Sequence, residues 1–188
     1  MELKKTLYVT DKENWHSWLS KNHNKEKEIW LIYYKKSSGK PRIAYTDALD
    51  EALCFGWIDS TVKSIDEEKY AQRFTPRRKG SLLSQTNKER VRKLISEKKM
   101  TKFGLDAIVH AFDLKTDVPE DFVIPKDILN AIKKNKDAWI NFQKLPDNYK
   151  RLRIAYIGHR RENKEEFEKR LNYFIKMTAK NKLFGMFR

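Results

Sequence analysis

The nine residues Glu28–Lys36, EIWLIYYKK, constrain the fold of this chain more than any other stretch. Bulky, aromatic and β-branched side chains follow one another from Ile29 to Tyr34 without a polar break. Such residues favour extended backbone. Successive side chains leave a strand on opposite sides, so both faces of this one are apolar. A strand with one solvated face would alternate with polar residues. Glu28–Lys36 therefore belongs in the middle of a sheet, and the rest of the chain must supply its neighbours.

Two neighbours follow in the sequence. Trp57–Ile65 alternates in the strand manner, with Trp57, Asp59 and Thr61 on one face and Ile58, Ser60 and Val62 on the other. The acidic turn Asp66–Glu68 then leads to Tyr70–Thr75, and the two segments pair as an antiparallel hairpin. Pro76 ends it, because proline donates nothing to a ladder. A short strand is expected around Leu7–Val9.

Helices fill the remainder. Thr10 with Glu13 makes a capping box for a helix whose apolar face is Trp15, Trp18 and Leu19. Thr46 caps Asp47–Phe55, which carries the stripe Ala48, Leu49, Ala52 and Leu53 and stops at Gly56. Thr86 with Glu89 opens a helix to about Lys98, and another spans Lys102–Phe112 with Leu105, Ile108 and Val109 inward. The proline- and acid-bearing stretch 113–125 reads as a linker. Only helical periodicity follows, over Lys126–Asn135, Asp137–Lys144, Asp147–His159 and Asn163–Thr178. The expected class is α+β: a small, mainly antiparallel sheet with packed helices, then a C-terminal helical domain. The expected division is 1–115, a linker at 116–125, and 126–188.

Charge narrows the function classes. The chain has 41 Lys+Arg against 26 Asp+Glu, a formal net charge of +15. The excess is uneven. Residues 69–104 hold 12 basic and 2 acidic side chains, a net of +10, while residues 1–68 hold 11 and 12. A field of this kind attracts anionic small molecules, phosphate groups or nucleic acid. The lone Cys54 excludes an internal disulfide, and its place in an apolar stripe favours a buried thiol. No stretch approaches the ~20 apolar residues of a membrane span, and the N-terminus has no signal-peptide pattern, so a cytoplasmic protein is expected. No dinucleotide, Walker or nucleophile-elbow motif is present, and His16, His23, His110 and His159 lack ligand spacing. Neither a cofactor nor a metal is called for.

The candidate site lies within Leu53–Asn87. Trp57, Asp59, Gln72, Arg73, Arg77, Arg78, Ser81, Ser84 and Asn87 crowd hydrogen-bonding groups among aromatics there. Arginine forks match phosphate and carboxylate oxygens, and the helix that follows offers free N–H groups near Ser84–Asn87. One reading is an anion cradle with Trp57 as an apolar wall. The other is a solvated basic loop whose Ser and Thr cap a helix. Asp59 beside Trp57 has two readings as well: a general base with a raised pKa, or a structural partner of Arg73 or Arg77. Trp30, Tyr33, Tyr34, Trp57, Tyr70 and Phe74 are candidates to stack nucleic-acid bases or to fill a core. Further on, Arg151, Arg153, Arg160 and Arg161 surround Tyr149 and Tyr156, with Arg153 and Arg160 on one side of a helix or simply solvated.

These blocks carry a family resemblance. LCFGWID at Leu53–Asp59, Gln72–Arg77 (QRFTPR), Ser81 to Asn87, and Met100-Thr101 with Gly104 resemble the YdeI/OmpD-associated, bacteriocin-protection family. Trp15–Leu19 and Ile29–Lys36 fit its N-terminal part. The helices from about Pro125 to Phe184 are similar to its small helical domain, with Leu145-Pro146 and Arg151–Ile157 as anchor. The resemblance implies a role in stress or antimicrobial protection and attaches no reaction to it.

Overall fold

The central strand has found its neighbours. In the computed structural model, which describes residue 3 and residues 5–112 and 122–185, β2 (Ile29–Tyr34) lies between β1 (Thr6–Leu7) and β4 (Lys69–Pro76), and β3 (Trp57–Ser64) completes the order β1-β2-β4-β3. β1 runs parallel to β2, and the other two pairings are antiparallel. Ile29 faces Phe74 across the β2–β4 ladder and Tyr34 faces Lys69. The architecture is α+β, with helices dominating the C-terminal part.

Only one face of β2 is closed. Ile29, Leu31 and Tyr33 are fully buried, whereas Trp30, Ile32 and Tyr34 on the other face are half-buried. Helices α1 (Lys12–Asn22) and α2 (Tyr45–Cys54) cover the closed face. The Trp15 ring lies 5.5 Å from Phe74, and its indole N–H donates to the Ala48 carbonyl at 2.9 Å. Large apolar side chains thus tie both helices to one side of the sheet. Each fully buried side chain of that size contributes ~1.5–3 kcal/mol.

Local details depart from the sequence reading where another group does the capping. Asp11, not Thr10, caps α1 by accepting from the Asn14 N–H at 2.8 Å, and Thr10 donates to Asp11. Thr46 lies inside α2, which begins without a side-chain cap. Gly56 does follow α2 with φ +75, a left-handed position that favours glycine. A Cβ there would also fall 2.7 Å from the Cβ of Ala107. The alternation of β3 breaks at a bulge between Asp59 and Val62, and β4 runs one residue further than expected, to Pro76 opposite Trp57.

After β4 come α3 (Gln85–Ser96) and α4 (Lys102–Asp106). The latter is shorter than the expected Lys102–Phe112. From Asp106 the chain tightens into turns, with Ile108 N–H bonded to the Leu105 carbonyl and Ala111 N–H to that of Ile108. The buried face is not the expected stripe: Ile108 is buried, but Leu105, still within α4, and Val109, in the turns, are exposed. Helices α5 (Lys126–Lys133), α6 (Lys136–Lys144), α7 (Asp147–Gly158) and α8 (Lys164–Ala179) form a second core around Ile128, Ile132, Phe142, Ile157 and Phe174.

The described residues fall into two compact units, within Met1–Leu83 with Arg90–Asp113, and within Ser84–Glu89 with Leu114–Arg188. Most of the linker expected at 116–125 lies outside the described residues. No described helix is long and apolar enough to cross a membrane.

Candidate functional site

The hairpin sorts the polar residues of the Leu53–Asn87 stretch by face. Trp57 pairs with Pro76 and Asp59 with Phe74, while Leu31 pairs with Gln72. Trp57, Asp59 and Gln72 therefore point to the closed side, with Phe74. Arg73, one residue out of phase, points to the other side opposite Trp30.

Trp57 is 1% exposed, packs edge-on against Trp18 at 5.7 Å, and donates its indole N–H to the His23 carbonyl at 3.0 Å. Its ring is part of the core. Tyr33 and Phe74 are buried with it. Asp59 accepts a 2.8 Å hydrogen bond from the Tyr45 hydroxyl and a longer one, 3.4 Å, from the Gln72 side-chain amide. The same amide donates to the Ser60 carbonyl at 3.3 Å. The structural partner of Asp59 is thus a tyrosine and an amide. Arg73 is on the wrong face to serve, and donates through Nε to Glu28 at 2.9 Å and through Nη2 to the same oxygen.

The closed side also holds a hydroxyl without a partner. Tyr33 is fully buried and stacks on Tyr70 at 5.3 Å, and its oxygen makes no hydrogen bond among the described residues. Burial raises the pKa of Tyr33 well above the usual tyrosine value, with nearby Tyr70, Tyr45 and Asp59 adding to the shift. Burial and then the bond to Asp59 raise that of Tyr45 in the same direction. Both hydroxyls stay protonated, which makes Tyr45 the donor in its bond to Asp59. Nothing in sequence marked Tyr45 or Tyr33 for this cluster. Tyr45 and Asp59 are brought together by the packing of α2 against β3.

The basic loop closes on itself. The Arg77 guanidinium donates to the Ser81 carbonyl at 3.2 Å, to the Ser81 hydroxyl at 3.1 Å and to the Leu82 carbonyl at 3.1 Å. Burial lowers its pKa from the usual arginine value. Arg78 is exposed. Ser84 accepts from the Asn87 N–H at 3.3 Å, the bond of a helix cap. Thr86 and Glu89 do not form the expected capping box. Glu89 instead accepts two bonds from Arg151, at 2.7 and 2.9 Å, within the helical unit. The nine candidates thus divide among the closed sheet face, its opposite face, the loop and the start of α3. Cys54 is buried, and burial pushes its thiol up to about 12. Among the described residues no cluster of His, Cys, Asp and Glu could hold a metal ion.

The helical unit contains a cavity of about 560 Å³, lined among others by Arg153, Tyr156, Arg170, Tyr173, Phe174 and Phe184. Tyr149 pins one wall: its hydroxyl accepts from the Phe184 N–H at 3.1 Å and donates to the Phe184 carbonyl at 3.3 Å. The Arg170 guanidinium lies 3.8 Å from the centre of the Tyr156 ring and donates to Glu166 at 2.8 Å and to the Tyr156 carbonyl at 2.9 Å. The C-terminal arginines did not stand out as a site in the sequence, because a solvated helix face has the same spacing.

Two family models match the chain. Residues 7–107 match the one described as a domain of unknown function (DUF8412), and residues 121–181 the one described as Bacteriocin-protection, YdeI or OmpD-Associated. The LCFGWID and QRFTPR blocks fall within the first match, and Arg151–Ile157 within the second. No curated protein and no solved structure matches.

Proposed function

We propose that this chain, which belongs to the family described as a domain of unknown function (DUF8412) and over residues 121–181 matches the one described as Bacteriocin-protection, YdeI or OmpD-Associated, is a protection protein, acting against bacteriocins or a comparable antimicrobial stress by binding and not by turnover. The observation that carries this reading is the match over residues 121–181. Binding over turnover is supported by the surroundings of Asp59, whose carboxylate is engaged by Tyr45 and Gln72. In this reading the negative partner of the basic segment meets the exposed Arg78 and Lys79, since Arg73 is engaged by Glu28 and Arg77 by its own loop.

Expression in a bacteriocin-sensitive bacterial host tests protection. Survival under challenge is expected to rise several-fold, and Asp59→Asn is expected to protect as well as the parent. No rise in survival would sink the protective role. Loss of protection in an Asp59→Asn variant that melts like the parent would return the reading to an enzyme using Asp59. For the anion, inorganic phosphate is expected to raise the melting temperature, and the Arg78→Ala, Lys79→Ala pair to abolish the shift. An unshifted parent removes the anion from the reading.

A further inference from the structure

We propose that the cavity of the helical unit binds an amphiphilic anion, one carboxylate or phosphate head on an apolar tail, and that Arg153 takes the head. This goes beyond the protective role and does not depend on it.

Size and lining come first. About 560 Å³ is within the range of small-molecule sites. Leu152, Ile157, Phe174 and Phe184 give it apolar walls, while Tyr156 and Tyr173 line it as half-exposed aromatics. An apolar body is what such walls accept.

Charge decides the head. Three cations line the cavity, Arg153, Lys169 and Arg170, against one carboxylate, Glu166. Arg170 already holds Glu166. Arg153 is in a different state from Arg151 and Arg161. Arg151 has Glu89 and Arg161 has Asp127. Arg153 has neither a carboxylate nor a hydrogen bond among the described residues, and its Nε is buried without a partner. Its guanidinium carbon lies 4.9 Å from the Phe184 ring centre, 5.3 Å from Tyr149 and 5.8 Å from Tyr156. Arg153 is half-buried, and the aromatic faces offset part of its lost hydration, but they give the buried Nε–H no acceptor. A planar fork beside an apolar cavity matches a carboxylate or phosphate.

The backbone makes room for that fork. Gly185 has φ +87, and a Cβ there would stand 2.5 Å from Nη2 of Arg153 and 2.8 Å from Nη1. The guanidinium therefore rests against a bare Cα, walled by rings and open toward the cavity it lines.

Calorimetric titration of the full chain tests this with decanoate and decyl phosphate below their micellar ranges, decanol, and inorganic phosphate. Saturable binding of decanoate, decyl phosphate or both is expected, and which of them binds more tightly identifies the head. Arg153→Gln should weaken it at least about tenfold, the worth of a charged hydrogen bond, while decanol binds parent and variant alike and more weakly. Arg153→Lys, which keeps the charge and loses the fork, should fall between. Arg78→Ala, on the basic loop, should bind like the parent. Thermal melts check that each variant folds. The proposal is overturned if neither amphiphile binds, if decanol binds as tightly as decanoate, or if inorganic phosphate alone binds as well. It is also overturned if Arg78→Ala loses as much affinity as Arg153→Gln, since long-range charge would then explain the binding.

Discussion

Residues 57–81 and the helix pair α7–α8 both place arginines among aromatics, with opposite outcomes. In the first region most of the candidate side chains are answered by the protein itself, although the Nε of Arg77 is buried without a partner and Arg78 is exposed. Arg73 has Glu28, Arg77 has its loop carbonyls, Asp59 has Tyr45, and the Trp57 indole has the His23 carbonyl. In the second, Arg153 faces rings and a cavity with no acceptor among the described residues. A dense run of polar residues marks a chain that must satisfy many donors and acceptors as it folds. A donor left over beside a cavity is the better sign of a ligand.

The largest expected effect tests the first half of that contrast. Trp57→Ala should cost ~3–5 kcal/mol in urea unfolding, as for other large aromatics removed from a core. A cost under ~1 kcal/mol would place the indole at the edge of a pocket and break the comparison.

Next comes a pair of arginines two residues apart. Glu89→Ala takes from Arg151 its two hydrogen bonds to a carboxylate, at a site where both side chains are about nine-tenths buried, and should cost ~3–5 kcal/mol. Arg153→Gln gives up only ring contacts and should change stability by less than ~1 kcal/mol. Equal costs would mean that Arg153 is a structural residue like its neighbour.

A smaller effect appears as a pH dependence. Tyr33 and Tyr45 keep their protons in the folded state beyond the usual tyrosine value of ~10. The unfolded chain releases those protons first, so stability is intact below that pH and falls as pH rises past it. Tyr45→Phe should lower stability by ~1–2 kcal/mol at neutral pH and flatten the alkaline fall. Urea midpoints between pH 8 and 11 measure both. An unchanged alkaline slope would show that the Tyr45–Asp59 bond is not what holds that proton.

Much of the fold was legible because periodicity is local. The apolar run of β2, the hairpin around Asp66–Glu68 and four C-terminal helices all follow from side-chain spacing and turn residues. Where competing caps stood side by side the reading missed: Asp11 beside Thr10, and Ser84 two residues before Thr86. Lys102–Phe112 misled because an apolar stripe persists where the backbone tightens into turns. The site was harder. The face of each hairpin residue follows from alternation, and that alone separates Arg73 from Asp59. Their partners do not, since Tyr45 and Glu28 lie in other elements. Arg153 was in view beside Tyr149 and Tyr156, but identical spacing serves a solvated helix.

By itself, then, the sequence determined the elements, the class of fold and the concentration of positive charge, because each depends on neighbours a few residues apart. The tertiary structure decided which charges are spent. It set Glu28 against Arg73, Tyr45 against Asp59 and Glu89 against Arg151, and left Arg153 with rings. Pairing of this kind depends on distances between elements far apart in the chain, and only their packing fixes those distances.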